Sequence, residues 1–219
     1  MIIIRNRNHP IQTKDGIIFL AVFALLAVSP AARASEIFTL NQDGCSVGCG
    51  ISPFGEVTLT QDGANTDVGV TLFHGDEFVG TGAGDSLEFD IAGDPSITIT
   101  GLTSGFTAGG AASASTFGSF DYSIVCTGCG HGDSHPLPGP IDFTVDNTLI
   151  AAFTTNSHGV YFTSDIVGTN GESGNVAGES VARSAAPEPF SFLLVGTGLI
   201  GLGLLRRGIF PPVASALSV

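Results

Sequence analysis

Glu56-Val57-Thr58-Leu59-Thr60 alternates polar and apolar side chains and then runs into Gln61-Asp62-Gly63, a turn. The two-residue period returns in Val68 to Phe73, in Leu87-Glu88-Phe89-Asp90-Ile91, in Ile97-Thr98-Ile99-Thr100 and in Ile141-Asp142-Phe143-Thr144-Val145. Phe117 to Val125 reads as one longer strand with Phe120, Tyr122 and Ile124 on one face, and Val160 to Val167 reads as the last strand. Successive side chains of a strand point to opposite faces, so each segment should bury one face and leave the other in water. His74-Gly75-Asp76, Gly93-Asp94-Pro95 and Gly101 punctuate the series. Only Leu149 to Phe153 hints at a helical turn. Short strands separated by turns predict an all-β domain over 35–169, built as an antiparallel β-sandwich.

Jelly-roll and Ig-like strand orders both suit such a series. Two stretches lack the period: Thr107 to Thr116 has the composition of a flexible loop, and the Gly/Ser-rich 170–186 that of a linker. The two ends are apolar instead. Ile17 to Val28 is an uninterrupted run of 12 residues behind Arg5, Arg7 and Lys14, and Ala32-Arg33-Ala34 offers a small-x-small cleavage site. Residues 1–34 therefore read as a signal peptide with an N-terminal signal helix, cut by signal peptidase before Ser35. Phe190 to Leu205 is a second charge-free run, 16 residues long and closed by Arg206-Arg207. As a helix it spans about 24 Å, short for a hydrocarbon core of about 30 Å but extendable by snorkelling arginines. It reads as a C-terminal transmembrane helix within 187–207, followed by a tail, 208–219. Positive-inside placement of both basic clusters puts everything between them outside the cytoplasm.

Charge narrows the partners. The 219-residue chain has 20 acidic and 7 basic residues, a net charge of −13. Between Ser35 and Ala186 the only basic residue is Arg183. A nucleic-acid binder needs clustered Lys and Arg to meet phosphates, so that class is excluded. With 16 Phe, 2 Tyr and no Trp, the core should be dominated by phenylalanine.

The candidate chemistry lies in cysteines and carboxylates. Cys45 and Cys49 form one close pair and Cys126 and Cys129 another. In an exported chain an even count argues first for disulfides, with three possible connectivities. Cross-pairing would close a loop of about 80 residues, worth about 4 kcal/mol in the loop-entropy model, and local pairing less. Cys126, Cys129, His131 and His135 also have the residue types and spacing of a tetrahedral zinc site, which the Cys45/Cys49 pair could complete instead. Asp62, Asp67, Asp76, Glu77 and Asp85 sit in turns of the kind that hold Ca²⁺, without an EF-hand pattern, and read first as solvated turn carboxylates. Gly130 follows Cys129 directly, which excludes a c-type haem attachment. His74 and His158 precede glycines and read as surface residues. No nucleophile elbow, phosphate loop or glycosidase-like carboxylate pair is present, so the chain is expected not to be an enzyme. No cofactor is expected beyond zinc or calcium.

Pro187-Glu188-Pro189, a short Gly-containing apolar segment and Arg206-Arg207 together resemble the PEP-CTERM sorting signal. The stretches around Thr81-Gly82-Ala83-Gly84-Asp85, Val125 to Gly130 and Gly139 to Val145 also resemble the body of small PEP-CTERM proteins. The resemblance implies export by a Gram-negative bacterium, an inner-membrane-anchored precursor, and recognition of Pro187-Glu188-Pro189 by an exosortase that removes the tail. It further implies delivery to the envelope or extracellular matrix, in a setting of exopolysaccharide and biofilm. The expected role is structural or adhesive, with exopolysaccharide as partner. The rival expectation is a metal-binding or redox-sensing envelope module built on the cysteine pairs.

Overall fold

A computed structural model describes residues 33–82, 84–129 and 132–180. Most of the expected signal peptide with Ala32, residues 181–186, the sorting signal at 187–207 and the tail lie outside them, as does His131. Among the described residues no helix is long and apolar enough to cross a membrane.

The described chain is all-β. The strands are β1 (Ser35–Asp43), β2 (Gly55–Asp62), β3 (Asn65–Leu72), β4 (Glu77–Gly80), β5 (Leu87–Ile91), β6 (Ile99–Thr100) and β7 (Phe106–Ala108). They continue with β8 (Ala112–Ala114), β9 (Gly118–Phe120), β10 (Tyr122–Cys126), β11 (Gly132–Leu137) and β12 (Ile141–Val145). Last come β13 (Phe153–Thr154), β14 (Phe162–Val167) and β15 (Ser173–Ser180). A single 3₁₀ turn, Ile150–Ala152, stands where the helical hint was.

All pairings are antiparallel, and the main sheet runs β6-β12-β3-β2-β1-β15-β14-β5-β10-β7. β12 and β5 stand six strands apart on that path. In a flat sheet they would be separated by about 29 Å at the usual strand spacing. Yet the rings of Phe143 and Phe89 have their centroids 6.0 Å apart. The sheet therefore curls back on itself, and one apolar core fills its concave side: Phe38, Leu59, Val70, Phe89, Ile124, Phe143 and Phe162 are all buried there.

Three expectations need correction. Residues 173–180 are not linker. They form β15, bonded to β1 on one side and β14 on the other, with Val176 and Ala177 fully buried, so the domain extends beyond 169. Glycine, which makes the segment look like linker, permits this position: a Cβ on Gly178 would stand 3.1 Å from the Thr39 carbonyl. The expected single strand 117–125 breaks at Asp121, whose N–H donates to Asp90 Oδ1 at 2.7 Å. Phe120 consequently leaves the face of Tyr122 and Ile124 and joins Ala114, Phe117, Val160 and Ala177 in a second cluster. The expected loop 107–116 is partly strand, and β8 pairs with β9 as a hairpin.

Candidate functional site

The outward face of β2, β3 and β12 is set by register. Thr58 pairs with Gly69, which pairs with Asp142, and Thr60 pairs with Asp67, which pairs with Thr144. Directly paired residues share a face. Hydroxyls and carboxylates therefore line two adjacent rows, and Gly69, without a side chain, leaves a dent in the middle of one. The result is an open groove of about 310 Å³ lined by Thr58, Thr60, Asp67, Gly69, Asp142 and Thr144. Thr144 Oγ1 donates to Asp67 Oδ1 at 2.8 Å, which fixes one wall. Arg33 stands beside this wall, 3.0 Å from Asp62 and 3.8 Å from Asp67. The groove offers hydroxyls and carboxylate acceptors, the groups that can hydrogen-bond a hydroxyl-rich ligand.

The structure pairs the cysteines locally. Cys45 is bonded to Cys49 and Cys126 to Cys129, each with Cα atoms 5.5 Å apart. Of the three connectivities this is the one that closes the smallest loops, worth about 2 kcal/mol each in the loop-entropy model. The first pair is seated by Asp43, whose Oδ1 accepts the Cys45 N–H at 2.9 Å and whose Oδ2 accepts the Cys49 N–H at 3.2 Å. Asp43, Cys45 and Cys49 form the one group of three metal-type ligands among the described residues, their ligand atoms within 4.8 Å of one another. His135 is exposed, with Nδ1 3.0 Å from Ser134 Oγ, and is not gathered into such a group with Cys126 and Cys129.

The chain matches no known protein family, no curated protein and no solved structure.

The remaining expected residues are dispersed. Ala34 lies beside β2, its carbonyl accepting the Gln61 N–H at 2.9 Å, and Ser35 opens β1. Asp62 and Asp67 face Arg33. Asp76 is buried, accepts the Thr169 N–H at 3.2 Å, and burial raises its carboxyl above the usual carboxylate range. Asp85 lies elsewhere again, beside Glu88. His74 and His158 are exposed. The turn carboxylates, read first as solvated and weighed as a calcium group, thus do not converge, and Asp76 among them is buried. The groove was hidden from sequence reading because no single strand carries it. Its only linear trace is the threonine-and-aspartate alternation.

Proposed function

We infer that this chain is an exported, exosortase-processed envelope or matrix protein, folded as a β-sandwich, with a structural or adhesive role. The observation that carries the reading is the groove on β2, β3 and β12, whose threonine hydroxyls and aspartates suit a neutral polysaccharide strand. A second feature agrees with a sorting signal at each end of the chain. Phe38, near the start of β1, pairs with Ser180, the last residue of β15, so the described chain enters and leaves the sheet on two neighbouring central strands.

Exopolysaccharide binding is tested by filling the dent. A Cβ on Gly69 meets only the movable Asp142 Oδ1, at 3.2 Å, so Gly69→Tyr should fold normally. It is expected to weaken retention of neutral exopolysaccharide at least tenfold in affinity electrophoresis. Equal retention by wild type and G69Y would remove the groove from the account.

Sorting and cysteine state are tested together by intact mass of the envelope form. The expected species begins at Ser35, lacks Phe190 to Arg207, and is lighter than its reduced form by four hydrogens. A species retaining Met1 or the arginine pair defeats the sorting part. The rival reading, a metal or redox module, rests on Asp43, Cys45 and Cys49, whose reduced form would offer two thiolates and a carboxylate. Zinc bound together with free thiols at these positions would favour it.

A further inference from the structure

The outer face of β10, β5, β14 and β15, away from the phenylalanine core, carries a polar row. Ser123 pairs with Glu88, Glu88 with Thr163, and Asp165 with Asn175. All five side chains are buried, none more than 1% exposed. The β8–β9 hairpin, which packs on Ala177 of the same face, and Thr81, Gly82 and Gly84 to Ser86 cover them, and a Cβ on Gly109, between β7 and β8, would overlap Ser123 Oγ.

Thr81, Gly82 and Gly84 to Ser86 belong to an excursion from a broken strand. Phe78 of β4 pairs with Ile166, and Phe89 of β5 pairs with Phe162. Ten residues separate the first members of these pairs and three the second, so seven extra residues loop out over β14. The loop wraps Asp165. Its Oδ2 accepts both the N–H and the hydroxyl of Thr81, each at 2.6 Å, and its own N–H donates to the Asp85 carbonyl at 3.0 Å. Glu88 is held similarly, accepting the Asp85 N–H at 3.1 Å and the Thr163 hydroxyl at 2.6 Å.

Four polar atoms in this row have no hydrogen-bond partner: Ser123 Oγ, Asp165 Oδ1 and both amide atoms of Asn175. Buried orphans of this kind are rare in native proteins and ask for a missing water or ion. Ser123 Oγ faces Gly109, whereas the Asn175 amide faces Gly84. A Cβ on Gly84 would overlap the Asn175 amide and stand 3.1 Å from Glu88 Oε1, so both side chains face the same spot beside a bare glycine. Asp165 is the direct cross-strand neighbour of Asn175, and Glu88 lies diagonally from Asp165, within reach for long side chains.

The geometry points to a divalent-cation site, for calcium, formed by Glu88, Asp165 and Asn175 beneath Thr81 and Gly84, with Asp85 at its rim. Calcium takes oxygen ligands in uneven, flexible arrangements, and the site supplies two carboxylates and the side-chain amide of Asn175. Among the described residues Arg33 is the only Lys or Arg, and it is engaged with Asp62 and Asp67. Without a cation, burial raises both carboxyls above their usual range, Asp165 to about 6, and the nearby Asp85 adds to the effect at each. A bound Ca²⁺ reverses that cost and ties β14 to β15 and to the loop.

The test uses the purified chain stripped with EDTA and returned to about 5 mM CaCl₂, above the millimolar range of extracellular calcium modules. One calcium per chain by elemental analysis is expected, with a rise in Tm of about 2–9 °C for a ligand at about 5–50 times its Kd. Magnesium, which demands a tighter octahedral shell, should give a smaller shift. Asn175→Leu removes a ligand and two orphan atoms together, so it should fold at least as well without calcium and lose the calcium response. If N175L does not fold, Gly84→Ala, which closes the cradle, is read instead with the same expectation. Asp62→Asn, remote from the loop, should respond like wild type. No bound calcium and no Tm shift in wild type, or an undiminished response in the variant read, overturns the site.

Discussion

Stopping the chain after Glu172, just ahead of β15, is expected to abolish cooperative folding, whereas stopping it after Ser180 should not. β15 is flanked on both sides, pairing from Phe38↔Ser180 to Asp43↔Val176 with β1 and from Phe162↔Gly178 to Val167↔Ser173 with β14. Its loss breaks the sheet in the middle of its path and strips partners from two strands at once. Each backbone hydrogen bond contributes about 0.5–1.5 kcal/mol net, and orphaning the buried groups of β1 and β14 costs more than that. Summed over two ladders, the loss is comparable with a domain's entire stability of about 5–15 kcal/mol. The two truncations are compared by urea denaturation followed by circular dichroism. A sigmoidal transition for the shorter chain, at a midpoint near that of the longer one, would mean that β15 is dispensable and that the segment is linker after all.

The same strand shows where sequence reading stops. Ser173-Gly174-Asn175-Val176-Ala177-Gly178-Glu179-Ser180 has one large apolar residue, Val176, so it carries no period to detect. It is a strand because its neighbours demand one, and its glycines let the β1 backbone approach. Leu87-Glu88-Phe89-Asp90-Ile91 illustrates the opposite case. Its alternation gives the strand and the core-facing residues correctly, and it implies that Glu88 faces water. Glu88 is buried instead, because the β8–β9 hairpin and the 81–86 loop close over the outer face, and no local pattern announces a cover contributed by residues remote in the chain. The disulfide pairing was one of three open possibilities, and the fold brings each close pair together, with Asp43 seating Cys45 and Cys49. The groove is similar: Thr58, Gly69 and Asp142 are each unremarkable in sequence and form a row only through a three-strand register.

Phe89→Ala should be the most damaging single substitution in the core, and it also tests how the sheet closes. The Phe89 ring has Tyr122, Phe143, Phe153 and Phe162 around it at centroid distances of 5.6, 6.0, 5.7 and 6.3 Å. Removing a fully buried phenylalanine loses its transfer free energy and leaves a cavity that these rings fill only in part, for a cost of about 3–5 kcal/mol. Ile37→Ala, at a position 44% exposed, should stay within about 0.5 kcal/mol of wild type. The more specific measurement is a double-mutant cycle between Phe89 and Phe143. Stacked rings couple by about 0.5–1.5 kcal/mol beyond their separate burial. β5 and β12 share no hydrogen bonds and lie far apart along the strand path, so the coupling can arise only if the sheet curls until its two halves face each other. A large loss for Phe89→Ala with a coupling near zero would keep the core and reject the curl. A positive coupling fixes the closed arrangement, on whose outer surfaces the groove and the wrapped acidic site both lie.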